Sequence, residues 1–253
     1  MKYARWTFAL LAALTAVSAY AEGVIDNNVI AYWAFDEGEG DSAEDSSQFD
    51  SDGEIEKGEW TAGISGTALL FNGSDARVVV QNNDNLHPDT GDITIEAWIR
   101  ADSSPDKWTG AGAIVFKGGA YQWVVHGANK GALWFGIWGA RLESTNNYHF
   151  IDHVGEWRHT ALTFEGDSRE AKIYVDGELN TEGVVNEAVD PTANVLYIGF
   201  KGDGNGYFHG AIDEVRISDV VRTQNEIQDQ MNTTLSVEPA GKLPLQWGRL
   251  KRQ

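Results

Sequence analysis

Residues 157–179 read WRHTALTFEGDSREAKIYVDGEL, in which two apolar runs are separated by a short polar segment and followed by Asp176-Gly177. Both runs are rich in β-branched and aromatic residues, which is the composition of β-strands. An Asp-Gly pair tolerates the positive φ angles that a tight hairpin requires. This stretch therefore predicts strands, with a reversal of the chain at Asp176-Gly177.

The same pattern continues in both directions along the chain. Short apolar runs alternate with clusters of Gly, Asn, Asp and Ser, which indicates a β-sandwich or jelly roll rather than repeated βαβ units. Further strands are predicted at residues 29–35, 68–73, 77–81, 92–100, 112–118, 121–127, 132–139, 195–202 and 210–218. Only residues 222–231, RTQNEIQDQM, have a helical pattern.

The N terminus resembles an export signal. Lys2 and Arg5 precede an apolar segment that ends in Ala19-Tyr20-Ala21, a small-x-small cleavage site. We therefore expect residues 1–21 to be a signal peptide, and the mature protein to be secreted or periplasmic. The chain contains no Cys, so disulfide bonds are excluded.

The charge of the chain limits its partners. The sequence has 19 Lys and Arg residues against 38 acids, a formal charge of −19, which becomes −21 without Lys2 and Arg5. Such a chain repels nucleic acid and anionic membrane surfaces. Neutral ligands and divalent cations are compatible with it.

The organisation predicted is one domain over residues 22–235 and a flexible, basic tail over residues 236–253.

Five segments taken together resemble the laminin-G-like jelly-roll family of the concanavalin A-like superfamily. They are VIAYWAFDEGEGDSAEDSSQFDSDGEI, ALLFNGSDARVVV, DITIEAWIR, WRHTALTFEGDSREAKIYVDGEL and LYIGFKGDGNGYFHGAIDEVRIS. The resemblance implies an all-β, two-sheet antiparallel jelly-roll sandwich. It also implies ligands at a concave sheet face or at its edge loops, and often a structural Ca²⁺. It does not imply catalysis, because this fold carries lectins, adhesion modules and hydrolases.

An acidic run at the start of the domain raises the question of catalysis. Glu39, Asp41 and Glu44 have the spacing E-x-D-x-x-E of laminarinase-type glycoside hydrolases. A retaining glycosidase needs two carboxyl groups held about 5 to 5.5 Å apart. The intervening residues here are Gly and small polar residues, which cannot hold the acids rigidly or shield them from water. We therefore predict that no residue of this chain is catalytic.

The next acidic residues suggest a metal instead. Ca²⁺ prefers carboxylate, carbonyl and water oxygens. The resemblance implies that the ion bridges the early D-S-S loop and the late I-D-E-V-R-I strand, which nominates Asp45 and Asp213, with carbonyl groups near Gly53. The alternative is that Asp45 and Asp213 accept hydrogen bonds from backbone amides in turns.

Alternation within two strands predicts a ligand face. In ALWFGIWG (132–139), Leu133, Phe135 and Ile137 form one face, while Trp134 and Trp138 flank a glycine on the other. Two such indoles are suited to stacking on sugar rings. If Tyr121, Trp123 and Val125 point into the core, Gln122 and His126 lie beside this platform. Arg141 follows in a segment read as a polar loop.

These features predict a secreted, non-catalytic recognition module that binds a glycan and carries structural calcium. The first alternative is an extracellular adhesion or structural protein that binds another protein. The second is a glycoside hydrolase or lyase of the same fold.

Overall fold

A computed structural model describes residues 26–108, 110–137, 139–144 and 149–236. The predicted signal peptide, and the predicted tail beyond Ser236, lie outside the described residues. These described residues form sixteen β-strands, four short 3₁₀ helices and one α-helix. The strands are β1 (Val29–Trp33), β2 (Ser42–Ala43), β3 (Gly53–Glu56), β4 (Glu59–Ala62), β5 (Thr67–Asn72), β6 (Arg77–Val80), β7 (Ile93–Ala101), β8 (Ala111–Lys117), β9 (Tyr121–His126), β10 (Ala132–Ile137), β11 (Ala140–Glu143), β12 (Arg158–Phe164), β13 (Glu170–Val175), β14 (Glu178–Val184), β15 (Leu196–Ile198) and β16 (His209–Ser218). The 3₁₀ helices are Asp84–Leu86, Pro105–Lys107, Gly127–Asn129 and Phe150–His153, and the α-helix α1 is Gln224–Ser236.

The strands form two antiparallel sheets of eight strands each. Sheet A has the order β14-β13-β12-β7-β16-β5-β4, and β1 pairs with the second half of β16. Sheet B has the order β11-β10-β9-β8-β15-β6-β3-β2. Many neighbours in each sheet are distant in sequence, as the predicted jelly-roll sandwich requires. The predicted turn is also present, because both Asp176 and Gly177 have positive φ, at 49° and 76°.

One hydrophobic core fills the space between the sheets. It includes Trp33 of β1, Ile95 and Ile99 of β7, and Trp123 of β9. All four residues lie in strands that the sequence predicted. Trp33 and Trp123 have no exposed surface. Burial of such side chains contributes roughly 1.5 to 3 kcal/mol each. The core thus fixes which face of each strand remains outside.

Helix α1 covers part of the outer face of sheet A. Thr223 and Glu226 exchange side chain to backbone hydrogen bonds of 3.3 and 2.7 Å, which is the capping box that starts the helix. Ile227 is fully buried against Ala161 and Tyr174. Within the part of the chain that the structure describes, no helix is long and apolar enough to cross a bilayer.

A buried acid and histidine also lie on this outer face. Glu96 is 2% exposed, and Oε1 of Glu96 lies 3.7 Å from Nε2 of His159. Burial raises the pKa of Glu96 to about 7, against the opposing charges of Arg216 and Arg222. Burial lowers the pKa of His159 to about 3, so the imidazole is neutral.

The raised pKa of Glu96 gives a prediction for the stability of the fold. The folded protein holds the Glu96 proton more tightly than the unfolded chain between pH 4.5 and about 7. The contribution of this group to stability is therefore present at low pH and lost as the pH rises through that interval. We expect the free energy of unfolding of the wild type, relative to Glu96→Gln, to fall between pH 4.5 and 7 in denaturant titrations. Parallel pH profiles of the two proteins would contradict this assignment.

Candidate functional site

The outer face of sheet B carries the side chains that the sequence assigned to a ligand. Leu133, Phe135 and Ile137 of β10 are fully buried in the core, as are Trp123 and Val125 of β9. The intervening residues of both strands point to the opposite side. The predicted division of these two strands is therefore confirmed.

A single row of cross-strand neighbours crosses this face. Strand register places Arg141 beside Gly136, Gly136 beside Gln122, and Gln122 beside Phe116. The row then continues through Tyr197, Val79 and Glu54. We call these residues the cross-strand row. It has an arginine at the β11 end, aromatic residues in the middle and one acid, Glu54, near the β2 end.

The indole of Trp134 lies beside Gly136 of this row. A Cβ added at Gly136 would be 2.7 Å from Nε1 of Trp134 and 2.9 Å from Nε2 of Gln122, so both side chains occupy the space that the glycine leaves. The guanidinium of Arg141 lies over the ring, with Cζ 4.9 Å from the centroid. The rings of His126 and Trp134 meet edge to face, with centroids 5.3 Å apart. Trp134 is therefore covered on one side by Arg141, and is not the open stacking platform that the sequence suggested.

The remaining predicted ligand residues are placed as follows. Arg141 lies on the edge strand β11 rather than in a loop, which corrects the sequence interpretation. Trp138 lies outside the described residues. Nδ1 of His126 is 2.6 Å from Oε1 of Glu143. Partial burial disfavours the charged form of Glu143, but hydrogen bonds from His126 and Asn129 outweigh it and lower the pKa of this carboxyl.

A cavity of about 320 Å³ opens beside the centre of the row. Gly136, Gln122 and Phe116 line it on the sheet, and Lys201 and Asp203 line it on the loop after β15. The ammonium of Lys201 is 2.6 Å from the Asp203 carboxylate. The cavity therefore combines an aromatic wall, a primary amide and a paired charge, which is the mixture that small polar ligands use.

Aromatic side chains near this cavity were not identified from the sequence. Tyr197 follows Phe116 in the row, and the rings of Phe200 and Tyr207 stack with centroids 4.3 Å apart. The alternation of Leu196 and Ile198, both buried, around Tyr197 was the available signal. Tyr207 gave no such signal, because it lies in an isolated bridge with Phe200.

Asp45 serves the fold through hydrogen bonds. Its Oδ1 accepts from the backbone N–H groups of Tyr32 and Ser47, each at 2.9 Å. Its Oδ2 accepts from Oγ of Ser47 and the N–H of Ser51, each at 2.8 Å. Two donors on each oxygen leave little capacity for a metal ion. The alternative stated from the sequence, a carboxylate bonded to turn amides, describes Asp45.

Close strand packing explains why residue 53 is a glycine. It pairs with Ala43 and Val80, and a Cβ there would be 2.3 Å from Cγ1 of Val78. Only glycine lets these strands pack closely. The structure thus gives Gly53 a role in the packing of these strands.

Asp213 differs from Asp45 in that one of its carboxylate oxygens has no hydrogen-bond partner among the described residues. A register shift in β16 between Asp213 and Arg216 lets Ile212 and Val215 both enter the core, which turns Asp213 and Glu214 to the other side. Asp213 has no exposed surface, and its Oδ1 has no partner among the described residues. Burial raises its pKa to about 8, and the charges of Glu214 and Asp36 add to the effect.

Oxygen atoms converge beside this carboxylate. Oδ2 of Asp213 accepts the N–H of Ile64 at 2.8 Å. The position of a Cβ on Gly63 is 2.5 Å from that Oδ2, 2.5 Å from the carbonyl oxygen of Ser65 and 2.4 Å from that of Thr67. Carboxylate and carbonyl oxygens are ligands that Ca²⁺ prefers. No three His, Asp or Glu side chains form a metal site within the described ranges, so carbonyl groups would have to supply most of the ligands.

The E-x-D-x-x-E run does not form a sheltered pair. Glu39, Asp41 and Glu44 are all exposed. A general acid needs an environment sheltered from water, which these exposed side chains lack. The three acids lie in the segment that contains β2, at the far edge of sheet B from Arg141.

Solved structures with the same fold include several binding domains. Domain 4 of AbnA, a GH43 extracellular arabinanase from Geobacillus stearothermophilus in complex with arabinotriose, has a TM-score of 0.62 and 18% identity over 80% of this chain and 97% of that chain. The binding domain of Paraclostridial Mosquitocidal Protein 1 has a TM-score of 0.65 and 16% identity over 81% of this chain. The binding domain of botulinum neurotoxin DC, in complex with rat synaptotagmin II, has a TM-score of 0.61 and 13% identity over 82% of this chain.

These likenesses concern the fold, because all three identities are low. This chain covers 52% of each of the two toxin chains, about half of their length. No curated protein matches the sequence significantly.

A protein-family model identifies the superfamily of this chain. The model of the concanavalin A-like lectin/glucanases superfamily, Laminin G 3, matches residues 72–228. That range contains β6 to β16, and with them the hairpin that joins β13 and β14 at Asp176-Gly177. The two eight-stranded antiparallel sheets agree with it. The chain therefore belongs to the concanavalin A-like lectin/glucanase superfamily.

Proposed function

We propose that this protein is an exported, non-catalytic module that binds a glycan on the outer face of sheet B. The observation that carries the proposal is the cavity of about 320 Å³ beside the cross-strand row, with Phe116, Gln122 and Gly136 in its lining. Sugars require apolar contact with their ring faces and hydrogen bonds to their hydroxyl groups. This lining offers both.

The arabinanase domain in complex with arabinotriose supports a glycan as the class of partner. The neurotoxin domain in complex with synaptotagmin supports a protein partner instead. The polar cavity favours the glycan, since a protein interface is usually broader and has its apolar residues at the centre. Exposure of Glu39, Asp41 and Glu44 supports a role without hydrolysis.

We also propose that Ca²⁺ binds beside Asp213. The unpartnered Oδ1 of this buried carboxylate and the carbonyl oxygens of Ser65 and Thr67 support the assignment. The exposed Asp36, whose Oδ1 accepts the N–H of Thr67 at 3.0 Å, adds a second negative charge at the loop. A bound ion would favour the ionised form of Asp213 and hold the loop between β4 and β5 in place.

The glycan proposal is tested with Gln122. We expect the mature protein to bind members of a polysaccharide array, and Gln122→Ala to weaken that binding about tenfold, the value of one good hydrogen bond. Gly136→Ala should have a similar effect, because its Cβ would displace both Trp134 and Gln122. Affinity is measured by titration calorimetry.

An exposed glutamine provides the matched control. Gln48 lies in the loop between β2 and β3, and Gln48→Ala should retain full affinity. Absence of binding to every polysaccharide would refute the glycan proposal. Release of reducing sugar by the wild type would refute its non-catalytic part.

A further inference from the structure

Arg141 differs from three other arginines on the described strands, whereas Arg216 of β16 resembles it in lying over an aromatic ring, with Cζ 4.3 Å from the Tyr32 centroid. Arg77, Arg100 and Arg158 each form an ion pair with a carboxylate, at Glu56, Asp102 and Asp176 respectively. Arg141 is exposed and has no hydrogen-bond or ion-pair partner among the described residues. In a chain with twice as many acids as bases, an arginine without such a partner is a feature that needs an explanation.

The neighbouring acid is already occupied. Glu143, two residues along β11, is bonded to Nδ1 of His126 at 2.6 Å. His126 in turn contacts the edge of Trp134. The arrangement keeps the carboxylate of Glu143 on the histidine, and leaves the guanidinium of Arg141 to the indole.

Trp134 holds this guanidinium in a defined orientation. Cζ lies 4.9 Å from the ring centroid, within the range of a cation–π contact. A stacked guanidinium uses its flat face for the ring, and keeps the N–H groups of its edge for another partner. The indole is itself fixed over Gly136, so the arginine is prepared for binding before a ligand arrives.

Arg141 lies one strand away from a residue that lines the cavity. Arg141 is the cross-strand neighbour of Gly136, and Gly136 lines the cavity. Lys201, on another part of the lining, is neutralised by Asp203 at 2.6 Å. Arg141 is thus the cation at this end of the row that remains available to an anionic group.

We propose, resting on the proposed function, that the glycan carries a carboxylate and that Arg141 binds it through two parallel hydrogen bonds. The class of ligand is an acidic oligosaccharide built from uronic acids. A guanidinium matches a planar carboxylate in this way, whereas a sugar hydroxyl does not. The net charge of the chain predicts a neutral ligand, but that argument concerns the long-range field, which salt screens beyond about 10 Å.

The test uses sugars that differ in one group. Trimers of galacturonate, glucuronate and mannuronate are titrated into the mature protein, each beside its neutral methyl ester. We expect at least one acid to bind tenfold or more tightly than its ester. Arg141→Gln should remove this preference, and Arg141→Lys should retain only part of it, because an ammonium lacks the planar fork.

Arg100→Gln is the matched control. Arg100 also lies over an indole, with Cζ 5.1 Å from the Trp157 ring, but it is on sheet A and is paired with Asp102. This variant should keep the preference for acids. Neutral sugars that bind as well as the acids, with no effect of Arg141→Gln, would overturn the inference and leave the glycan proposal intact. Absence of binding to both acidic and neutral sugars would overturn both.

Discussion

Replacing Trp123 by alanine will lower the free energy of unfolding by about 3 to 5 kcal/mol, the cost of removing a large aromatic side chain from a core. Trp123 has no exposed surface, and its neighbours in the core come from both sheets. For a domain of about 200 residues this loss corresponds to a decrease of roughly 10 °C in melting temperature. Thermal unfolding followed by circular dichroism measures it.

Trp134 is the matched control, because it pairs across the strands with Val124, the residue next to Trp123. It is half-buried on the outer face of sheet B. We expect Trp134→Ala to lower the melting temperature far less, and to weaken glycan binding because Arg141 loses its support. A large loss of stability in Trp134→Ala, with unchanged affinity, would show that the ligand site has been placed on the wrong face.

The faces of β9 and β10 could be predicted because alternation in a strand is a local property. Each apolar set in these strands is unbroken, so Trp123 and Phe135 could be assigned to one side without knowledge of the neighbouring strands. The cover of Trp134 could not be predicted. It depends on β11, which brings Arg141 back beside Gly136 by tertiary pairing.

Short, polar strands account for most of the missed elements. The strands β2, β3, β4 and β11 have two to four residues each, and charged or small residues dominate them. Their backbones are ordered by pairing with longer strands rather than by their own propensity. The sequence interpretation therefore took Arg141 as part of a loop, although it lies at a sheet edge.

The partner of Glu96 could not be predicted from alternation, for a related reason. Alternation places Glu96 and Arg100 on one face, which by itself favours an ion pair between them. In the folded chain Arg100 pairs with Asp102 at 2.6 Å, and Glu96 is buried beside His159 of the adjacent strand. A one-dimensional pattern gives the face of a residue, but not its neighbour across the ladder.

We expect Ca²⁺ bound beside Asp213 to stabilise the mature protein strongly. A ligand that binds only the folded state adds about 2.7 kcal/mol at a hundredfold excess over its dissociation constant. We expect a rise of roughly 5 to 10 °C in melting temperature when calcium replaces a chelator. Asp213→Ala should abolish this rise, because it removes the carboxylate at which the carbonyl oxygens of Ser65 and Thr67 converge.

Two further variants separate a metal ligand from a structural acid. Asp36→Asn keeps an acceptor for the N–H of Thr67 but removes a charge, so it should weaken the calcium response while the protein without calcium remains folded. Asp45→Ala should destabilise the protein with and without calcium by the same amount, because the carboxylate bonds to the amides of Tyr32, Ser47 and Ser51. If calcium leaves the wild-type melting curve unchanged, the metal proposal is wrong. If Asp45→Ala loses the response and Asp213→Ala keeps it, the ion binds at the D-S-S loop, and the unpartnered oxygen of Asp213 requires another explanation.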